Sequence, residues 1–403
     1  MAKTKKDIDP SQVEYVTADD FLSGLTDTLD AQFKGEYAGG FKKMSEYEHL
    51  MPDYYISTGD PFLDVSISNR KNGGLPSGRF INIYGDSSSG KSLLCFKIVA
   101  EAQKRGGIAI YFDTERAVFP PFAKVLGVDE TKMHYYPKVN AIEDIFKIIV
   151  TIVNHKKKMN FKAPFLIIID SMKATNIKEV VENFEEFGDT GYSAGAKKQK
   201  LLGENLEKIV NLVKEEQIVF ITVDQLRDNL NKANKYSPDK RSTSGNAQIF
   251  YSDIRIELKR TEWIELKEAS GEKTRIGAVV RAEAVKNRIA PPFKKSEFHV
   301  YFTRGMDVKA SWLANLKKKK IIDSAGAYIK FKDENGDDFK HNGVLLNSKT
   351  FRQLLGQKHP IVDVLYNRFC DAIIEEYEYA DEEVFDNLSD VVEITNDPNE
   401  DDE

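Results

Sequence analysis

The stretch Phe80-Ile-Asn-Ile-Tyr-Gly-Asp-Ser-Ser-Ser-Gly-Lys-Ser-Leu-Leu94 constrains this chain more than any other. An alternating apolar run ends at Tyr84, a loop of small residues follows, and apolar residues recur at helical spacing after Lys91. From Gly85 to Ser92 the chain reads G-x-x-x-x-G-K-S, with Asp86, Ser87, Ser88 and Ser89 before Gly90. Each position has a task. The glycines let the backbone curl, its N–H groups point at phosphate oxygens, Lys91 reaches the outer phosphates, and Ser92 can ligate Mg²⁺. The positive end of the following helix adds to the attraction. An ordinary Gly/Ser turn would leave the flanking strand and helix as coincidence. The stretch points to a nucleoside triphosphate.

With 403 residues, of which 41% are hydrophobic, the chain can bury a large core and has room for two or more domains. The N-terminal basic residues have no apolar segment behind them, and no run approaches the roughly 18 residues of a membrane helix, which argues against export and membrane insertion. Cys95 and Cys370 lie far apart, and six histidines are scattered without metal-ligand spacing. That pattern fits a reducing cytoplasm and no zinc.

A net charge of −6 argues at first against a nucleic-acid partner, but the distribution reverses the argument. Residues 371–403 hold 15 acidic and no basic side chains, so residues 1–370 hold 58 basic against 49 acidic ones, a net of +9. A basic body with an acidic tail suggests a tail that shields a polyanion site, or one that only solvates.

Along the chain, Asp19–Leu29 reads as a helix with Phe21, Leu22, Leu25 and Leu29 on one face, packed on its own domain or on a neighbour. Turn signals between Tyr55 and Gly78 lead to the first core strand. Beyond the loop, the pattern predicts a helix over about Lys91–Lys104 and a strand over Ile108–Phe112. It then predicts a helix over Ile142–His155, a strand over Phe165–Ile169, a helix over Leu201–Glu215 and a strand over Ile218–Val223. Strands separated by helices, with polar residues at strand ends, make a parallel α/β sheet with ligands at its carboxyl edge. Ile254–Leu258, Ile276–Val285 and Phe298–Phe302 alternate like antiparallel or edge strands, and a smaller α+β region runs to about Cys370.

The strand ends carry the chemistry. Asp170 follows an apolar strand, where a carboxylate orients the Mg²⁺ hydration shell. Glu115, in Asp113-Thr-Glu115, is the candidate base for activating water, because hydrolysis needs a base separate from the metal. Either carboxylate could instead cap a helix or stand in a solvated turn. Gln225 ends the next strand, where an amide can bond the terminal phosphate and report its loss. Two polar stretches, Asn183–Lys200 and Arg227–Asn246, look mobile; the second holds Arg227, Lys232, Lys235, Lys240 and Arg241. Such loops suit contact with single-stranded nucleic acid, or are solvated surface.

At this point the residues carry a resemblance. Ile56-Ser-Thr-Gly59, Gly73-Gly-Leu-Pro-Ser-Gly-Arg79, the phosphate loop, Asp113-Thr-Glu115 and Asp170-Ser171 follow the RecA recombinase pattern in order and spacing. So do Asp224-Gln225-Leu-Arg227, Ser244-Gly-Asn-Ala247 and Val285-Lys-Asn-Arg-Ile-Ala-Pro-Pro-Phe293. The resemblance covers roughly Tyr55 to Asp307, and the tract around Lys286-Asn287-Arg288 is its most discriminating part, since generic phosphate-loop ATPases lack it. It implies an α/β RecA-type ATPase core with a mostly parallel twisted sheet flanked by helices (55–307). An N-terminal oligomerisation arm (1–54), a small C-terminal α+β domain (308–370) and an autoinhibitory acidic tail (371–403) complete the expected organisation.

By the same resemblance, Glu115 is the catalytic base and Gln225 links ATP to the second DNA loop. Lys197 and Arg227 match DNA-contacting positions, and Lys232, Arg241, Ser244, Gly245 and Asn246 fall within the second loop. Lys286 and Arg288 match cations that reach the ATP of the adjacent protomer. Asp224 stands in place of an Asn, Ser244-Gly245 in place of a Gly-Gly pair, and Ile249 in place of an interface lysine. Phe119 replaces an adenine-contacting aspartate, which leaves stacking of the base to Phe122. The long acidic tail and the diverged N-terminus look more like phage-encoded members. The expectation is a DNA-dependent ATPase, using ATP and Mg²⁺, that polymerises on single-stranded DNA and exchanges strands with homologous duplex. Single-strand-binding and loader proteins are further expected partners. The rivals are a ring-forming helicase on the same core and an ATP-binding scaffold without strand exchange.

Overall fold

The computed structural model describes residues 17–33, 51–182, 191–228, 240–242, 246–268, 271–333 and 335–374. The chain divides into two units, Met1–Met51 and Pro52–Glu403. In the first, helix α1 spans Ala18–Gln32 and is capped by Thr17, whose hydroxyl accepts the Asp20 N–H at 3.1 Å. The apolar stripe expected on this helix is real, and Phe21, Leu22 and Leu25 on it are exposed.

The second unit begins with β1 (Tyr55–Ile56), α2 (Pro61–Ser68) and β2 (Leu75–Pro76), where β1 and β2 pair antiparallel. Asp60 caps α2 by accepting the N–H groups of Phe62 and Leu63, and Pro61 opens the helix with φ already set. The core continues through β3 (Arg79–Gly85), α3 (Lys91–Gln103), β4 (Ile108–Asp113), α4 (Pro120–Val125) and β5 (Met133–Tyr136). Next come α5 (Ile142–Met159), β6 (Phe165–Asp170), α6 (Lys178–Glu182), α7 (Gly191–Glu215), β7 (Val219–Asp228), β8 (Lys240–Ser242) and α8 (Asn246–Tyr251). Four strands close it: β9 (Ile254–Lys267), β10 (Lys273–Asn287), β11 (Lys295–Tyr301) and β12 (Gly305–Asp307).

These strands form one sheet in the order β12-β11-β10-β9-β3-β7-β6-β4-β5, with β8 paired to β7. From β9 to β5 every neighbouring pair is parallel, and β10 to β12 extend the sheet antiparallel. The continuous apolar runs follow from burial on both faces. Ile81, Tyr111, Leu166, Ile168, Val219 and Ile221 pack with α3 on one face. Phe80, Ile110, Phe112, Ile167, Ile169 and Phe220 pack with α5 and α7 on the other. Helix α5 turns Ile142, Ile145, Phe146, Ile149 and Val153 to that core, with acidic residues in its first turn and lysines in its last, matching the helix dipole.

One sequence expectation about the fold is corrected, and one open alternative is resolved. Helix α7 starts at Gly191 rather than near Leu201, so the second half of the stretch read as a mobile loop is helical. Residues 191–200 lack an apolar stripe, yet Lys198 anchors them by donating to the carbonyls of Met172, Lys173 and Thr175. Of the two readings of Ile254–Leu258, antiparallel or edge, the first holds: β9 lies between β3 and β10 and pairs antiparallel with β10. Its alternation reports that Ile254, Ile256 and Leu258 face the α3 side of the core, not that a ladder is missing.

After β12, the chain forms α9 (Val308–Lys318), β13 (Asp323–Ala325), β14 (Tyr328–Lys330), β15 (Lys340–His341), β16 (Val344–Asn347), α10 (Ser348–Gln357) and α11 (Pro360–Asp371). The four strands make a small sheet, and the core of this region includes Phe62 and Val65 of α2. Phe62 meets Trp312 and Phe369 edge-on at 4.9 and 4.3 Å between ring centres. Among the described residues no helix is long and apolar enough to cross a membrane.

Candidate nucleotide site

Because β3, β7, β6 and β4 are neighbours in the sheet, the residues after their carboxyl ends meet at one edge. Gly85 of β3 lies in register with Gln225 of β7, and Asp113 of β4 with Asp170 of β6. At Gly85 any Cβ would sit 2.1 Å from the Leu258 carbonyl oxygen of β9, so only glycine lets the chain turn there. Gly90 has φ +88° with open space around it, so its glycine serves the backbone conformation rather than a close approach.

Lys91 opens α3 and is nearly buried. Its Nζ donates to the carbonyls of Gly85 and Asp86 at 3.1 and 2.6 Å. Burial pulls its ammonium pKa down, against the attraction of Asp170, Glu115 and Asp86. The Ser89 hydroxyl is buried without a hydrogen-bond partner, a cost of about 1–3 kcal/mol that a phosphate oxygen would relieve.

Asp170 is buried beside the start of α3. Burial raises its pKa, against hydrogen bonds from the Ser92 and Tyr111 hydroxyls, the latter at 2.7 Å. Glu115 is exposed toward the same space and accepts the Ser171 hydroxyl at 2.5 Å. Thr114 fixes that segment to β6, its N–H donating to Asp170 O at 2.9 Å and its hydroxyl to Ser171 O at 2.7 Å. Neither carboxylate caps a helix.

A cavity of about 220 Å³ joins Ser88–Leu93 to Glu115, Asp170, Ser171 and Gln225. A second, of about 240 Å³, shares Ser92, Leu93, Glu115 and Asp170 with it and is walled by Phe96, Val118, Phe119 and Phe122. The first is lined mostly by residues with polar side chains and sized for phosphates; the second offers apolar faces on which a base can stack. Phe122 sits on α4 and packs partly against the core, while Phe119, the residue that precedes α4, is 65% exposed. Asp113 shapes this second wall: its carboxylate accepts the N–H groups of Ala117 and Val118 and the Tyr135 hydroxyl. The task of Asp113 is not legible in the sequence, since strand-end carboxylates look alike until their partners are placed.

Gln225 does not end its strand. Strand β7 runs on to Asp228 and pairs with β8, Leu226 opposite Ser242 and Arg227 opposite Arg241, so Gln225, which lines the phosphate cavity, directly precedes this hairpin. Lys173 donates to its Oε1 at 3.4 Å. Beneath it, Asp224 is buried and accepts Asn82 Nδ2 at 2.9 Å, in a network with Thr222 and Gln248 of α8. The Asn-to-Asp exchange at 224 thus has a paired interior environment. Lys198, the neighbour of Lys197, is attracted by Asp224, and burial brings its pKa to about 8.

Other expected residues lie apart from the cavity. Lys197, on α7, pairs with Glu179 at 2.8 Å, and Asn246 is the first residue of α8. Lys232, Ser244 and Gly245 fall outside the described residues. Lys286 and Arg288 are opposite the start of β9, at the amino edge of the parallel strands, whereas the phosphate loop leaves the carboxyl edge. Their alternation holds: both donate to the Phe250 carbonyl, Lys286 also to that of Ile249, while Asn287 turns away to Ile67 O. Among the described residues no group of three His, Cys, Asp or Glu side chains has metal-binding geometry. A Mg²⁺ ion held by one hydroxyl, one carboxylate, phosphates and water requires none.

The family model for the RecA N-terminal domain matches residues 39–307, which include every residue lining the two cavities. Protein RecA of a Nitratiruptor species is 33% identical over 295 residues, 73% of this chain and 79% of that protein. Protein RecA of Wolinella succinogenes is 33% identical over 288 residues, 71% of this chain and 76% of its own. Protein RecA of Campylobacter jejuni subsp. doylei is 32% identical over 279 residues, 69% and 75% of the two chains. A match of this extent, over the strand ends that build the site, makes the chain a member of the RecA family.

Proposed function

We propose that this protein is an ATP-dependent homologous recombinase, which assembles on single-stranded DNA, pairs it with homologous duplex and exchanges strands in recombination and repair. One observation carries the reading: Gln225 lines the phosphate cavity and directly precedes Leu226, the first residue of β7 paired in the β7–β8 hairpin. Gain or loss of the terminal phosphate is thereby transmitted to the segment that holds Arg227, Lys232, Arg241, Ser244, Gly245 and Asn246, the proposed second DNA-binding loop. Lys197 on α7 belongs to the first.

The enzyme is a DNA-dependent ATPase in this reading. The loop N–H groups and Lys91 bind the phosphates, and Phe122, with Phe119, receives the base. Ser92, and Asp170 through its hydration shell, would hold Mg²⁺, which would supply charge neutralisation to the phosphates. Glu115, held by Ser171, takes the proton of the attacking water. Lys286 and Arg288 stabilise the developing charge on a neighbour's ATP, in keeping with their position away from their own loop. The exposed stripe of α1 suits packing on the next subunit of a helical filament. Single-strand-binding and loader proteins are the further partners, and the cytoplasm is the compartment. An identity of about one third to bacterial proteins fits a phage-encoded branch.

Joint-molecule formation between circular single-stranded DNA and homologous linear duplex tests the reading. ATP-dependent products that require homology are expected. Products absent in every nucleotide condition, with forked duplex unwound by discrete rings instead, would replace this function with that of a helicase.

A further inference from the structure

Three lysines stand close together in the first turns of α7, and one of them turns inward. Lys200 is 78% exposed and Lys197 reaches out to Glu179 of α6, whereas Lys198 is partly buried. Its Nζ donates to the carbonyls of Met172, Lys173 and Thr175 at 3.0, 3.1 and 2.5 Å. An ammonium has three N–H groups, so the three carbonyls use all of them. These carbonyls belong to the single 3₁₀ turn that follows β6, Met172–Ala174, and to the residue after it. Met172 and Thr175 are buried, and the Thr175 hydroxyl closes the turn on Met172 O at 2.7 Å. Ser171, just before the turn, donates to Glu115, and Lys173 within it donates to Gln225 Oε1 at 3.4 Å. Beyond the turn, Asn176 is fixed to the entry of α5, its N–H donating to Asn140 O and its carbonyl accepting the Ile142 N–H. The turn is thus anchored at its far end and bonded to two residues of the nucleotide cavity, and Lys198 ties it to α7.

We propose that Lys198 is a positioning residue for ATP hydrolysis: it sets the 172–175 turn, and through Ser171 and Lys173 that turn orients Glu115 and Gln225. The inference rests on the function proposed above, with Glu115 as the base and the first turns of α7 as part of the DNA-binding surface. Lys198 is next in the chain to Lys197, and the two lysines grip one segment from two sides. Lys198 holds its carbonyls, and Lys197 holds the carboxylate of Glu179, four residues past Thr175. A DNA phosphate that draws Lys197 from Glu179 shifts the first turns of α7, and Lys198 delivers that shift to the turn that aims the base. The side chain must be charged to do so. A neutral replacement leaves a buried carbonyl of Met172 or Thr175 short of a donor, and the turn relaxes. Asp224, buried in β7 directly before Gln225, attracts Lys198 and favours its ionised form against the cost of burial. A small displacement of Ser171 matters, because a general base works only within hydrogen-bond reach of its water.

Steady-state turnover and hydrogen exchange of the full-length Lys198→Met variant test it. With single-stranded DNA, kcat should fall about tenfold or more while KM for ATP stays within about threefold, since the phosphate loop and Lys91 are unchanged. In the nucleotide-free protein the amides of residues 171–176 should exchange about fivefold faster or more, at an unchanged melting temperature. Lys198→Arg keeps the charge and the N–H donors and should recover most of the lost turnover. In a cycle with Ser171→Ala the losses should not multiply, because both changes release the same base: the double variant should turn over about as fast as the slower single one. Lys198→Gln carries the same measurements should the methionine variant not fold. A kcat within about threefold of the parent, losses that multiply in the double variant, or unchanged exchange at 171–176 would each overturn the proposal. Parent turnover unmoved by single-stranded DNA would instead sink the recombinase function, and the same cycle on the basal rate would still accept or reject Lys198.

Discussion

Glu115→Gln separates proton transfer from positioning. Glu115 Oε1 accepts the Ser171 hydroxyl at 2.5 Å, and a glutamine amide oxygen of the same reach can accept the same bond. The two Thr114 bonds to the end of β6 do not involve the side chain at 115, so the segment keeps its place. An exposed, isosteric change of this kind should move folding stability by no more than about 0.5 kcal/mol. The basic oxygen is what is lost. General-base catalysis contributes roughly 10²–10⁴-fold, which corresponds to about 2.7–5.4 kcal/mol of barrier. Phosphate release at saturating ATP and single-stranded DNA should fall at least about 10²-fold, with KM for ATP within about threefold, since the loop and Lys91 still bind the phosphates. ATP-dependent DNA complexes should become longer-lived. Turnover within about threefold of the parent, in a variant with an unchanged melting curve, would refute Glu115 as the base.

Gln225→Ala should leave ATP binding intact and remove about tenfold or more of the coupling between ATP and DNA affinity, read by DNA titrations with and without nucleotide; equal coupling would sever the proposed route through β7. Lys286→Ala/Arg288→Ala should abolish DNA-stimulated turnover, and added Lys91→Ala protomers, which keep both cations, should restore part of it. Mixed filaments with no recovered activity would show that the pair does not act across the subunit boundary. Phe62→Ala empties a fully buried position between Trp312 and Phe369 and should cost about 3–5 kcal/mol in urea unfolding; a loss under about 1 kcal/mol would mean that α2 does not share the C-terminal core.

The strand, loop and helix from Phe80 to Leu94 were legible because the signal is local: each residue's task follows from its neighbours in the chain. The apolar runs at Phe165–Ile169 and Ile218–Val223 disclosed strands buried on both faces, and the alternation of Lys286 and Arg288 disclosed their shared direction. What escaped depends on tertiary partners. The first turns of α7 have no apolar stripe and are fixed by Lys198 on carbonyls distant in sequence. The interior place of β9 is invisible to periodicity, which reports covered faces and not paired edges. Asp113 became a positioning residue only once Ala117, Val118 and Tyr135 were seen around it. The sharing of Phe62 with the C-terminal core joins segments at opposite ends of the described unit, beyond any local pattern.

The most direct test of the central claim, that DNA-templated stacking switches on ATP hydrolysis at this site, is the turnover rate of the full-length protein with and without single-stranded DNA across a range of protein concentrations. Cations supplied in trans act only between stacked subunits, so the DNA should raise turnover at least about tenfold, steeply with protein concentration and together with filaments in negative stain. The same rate with and without DNA, at every concentration and despite filament formation, would contradict it.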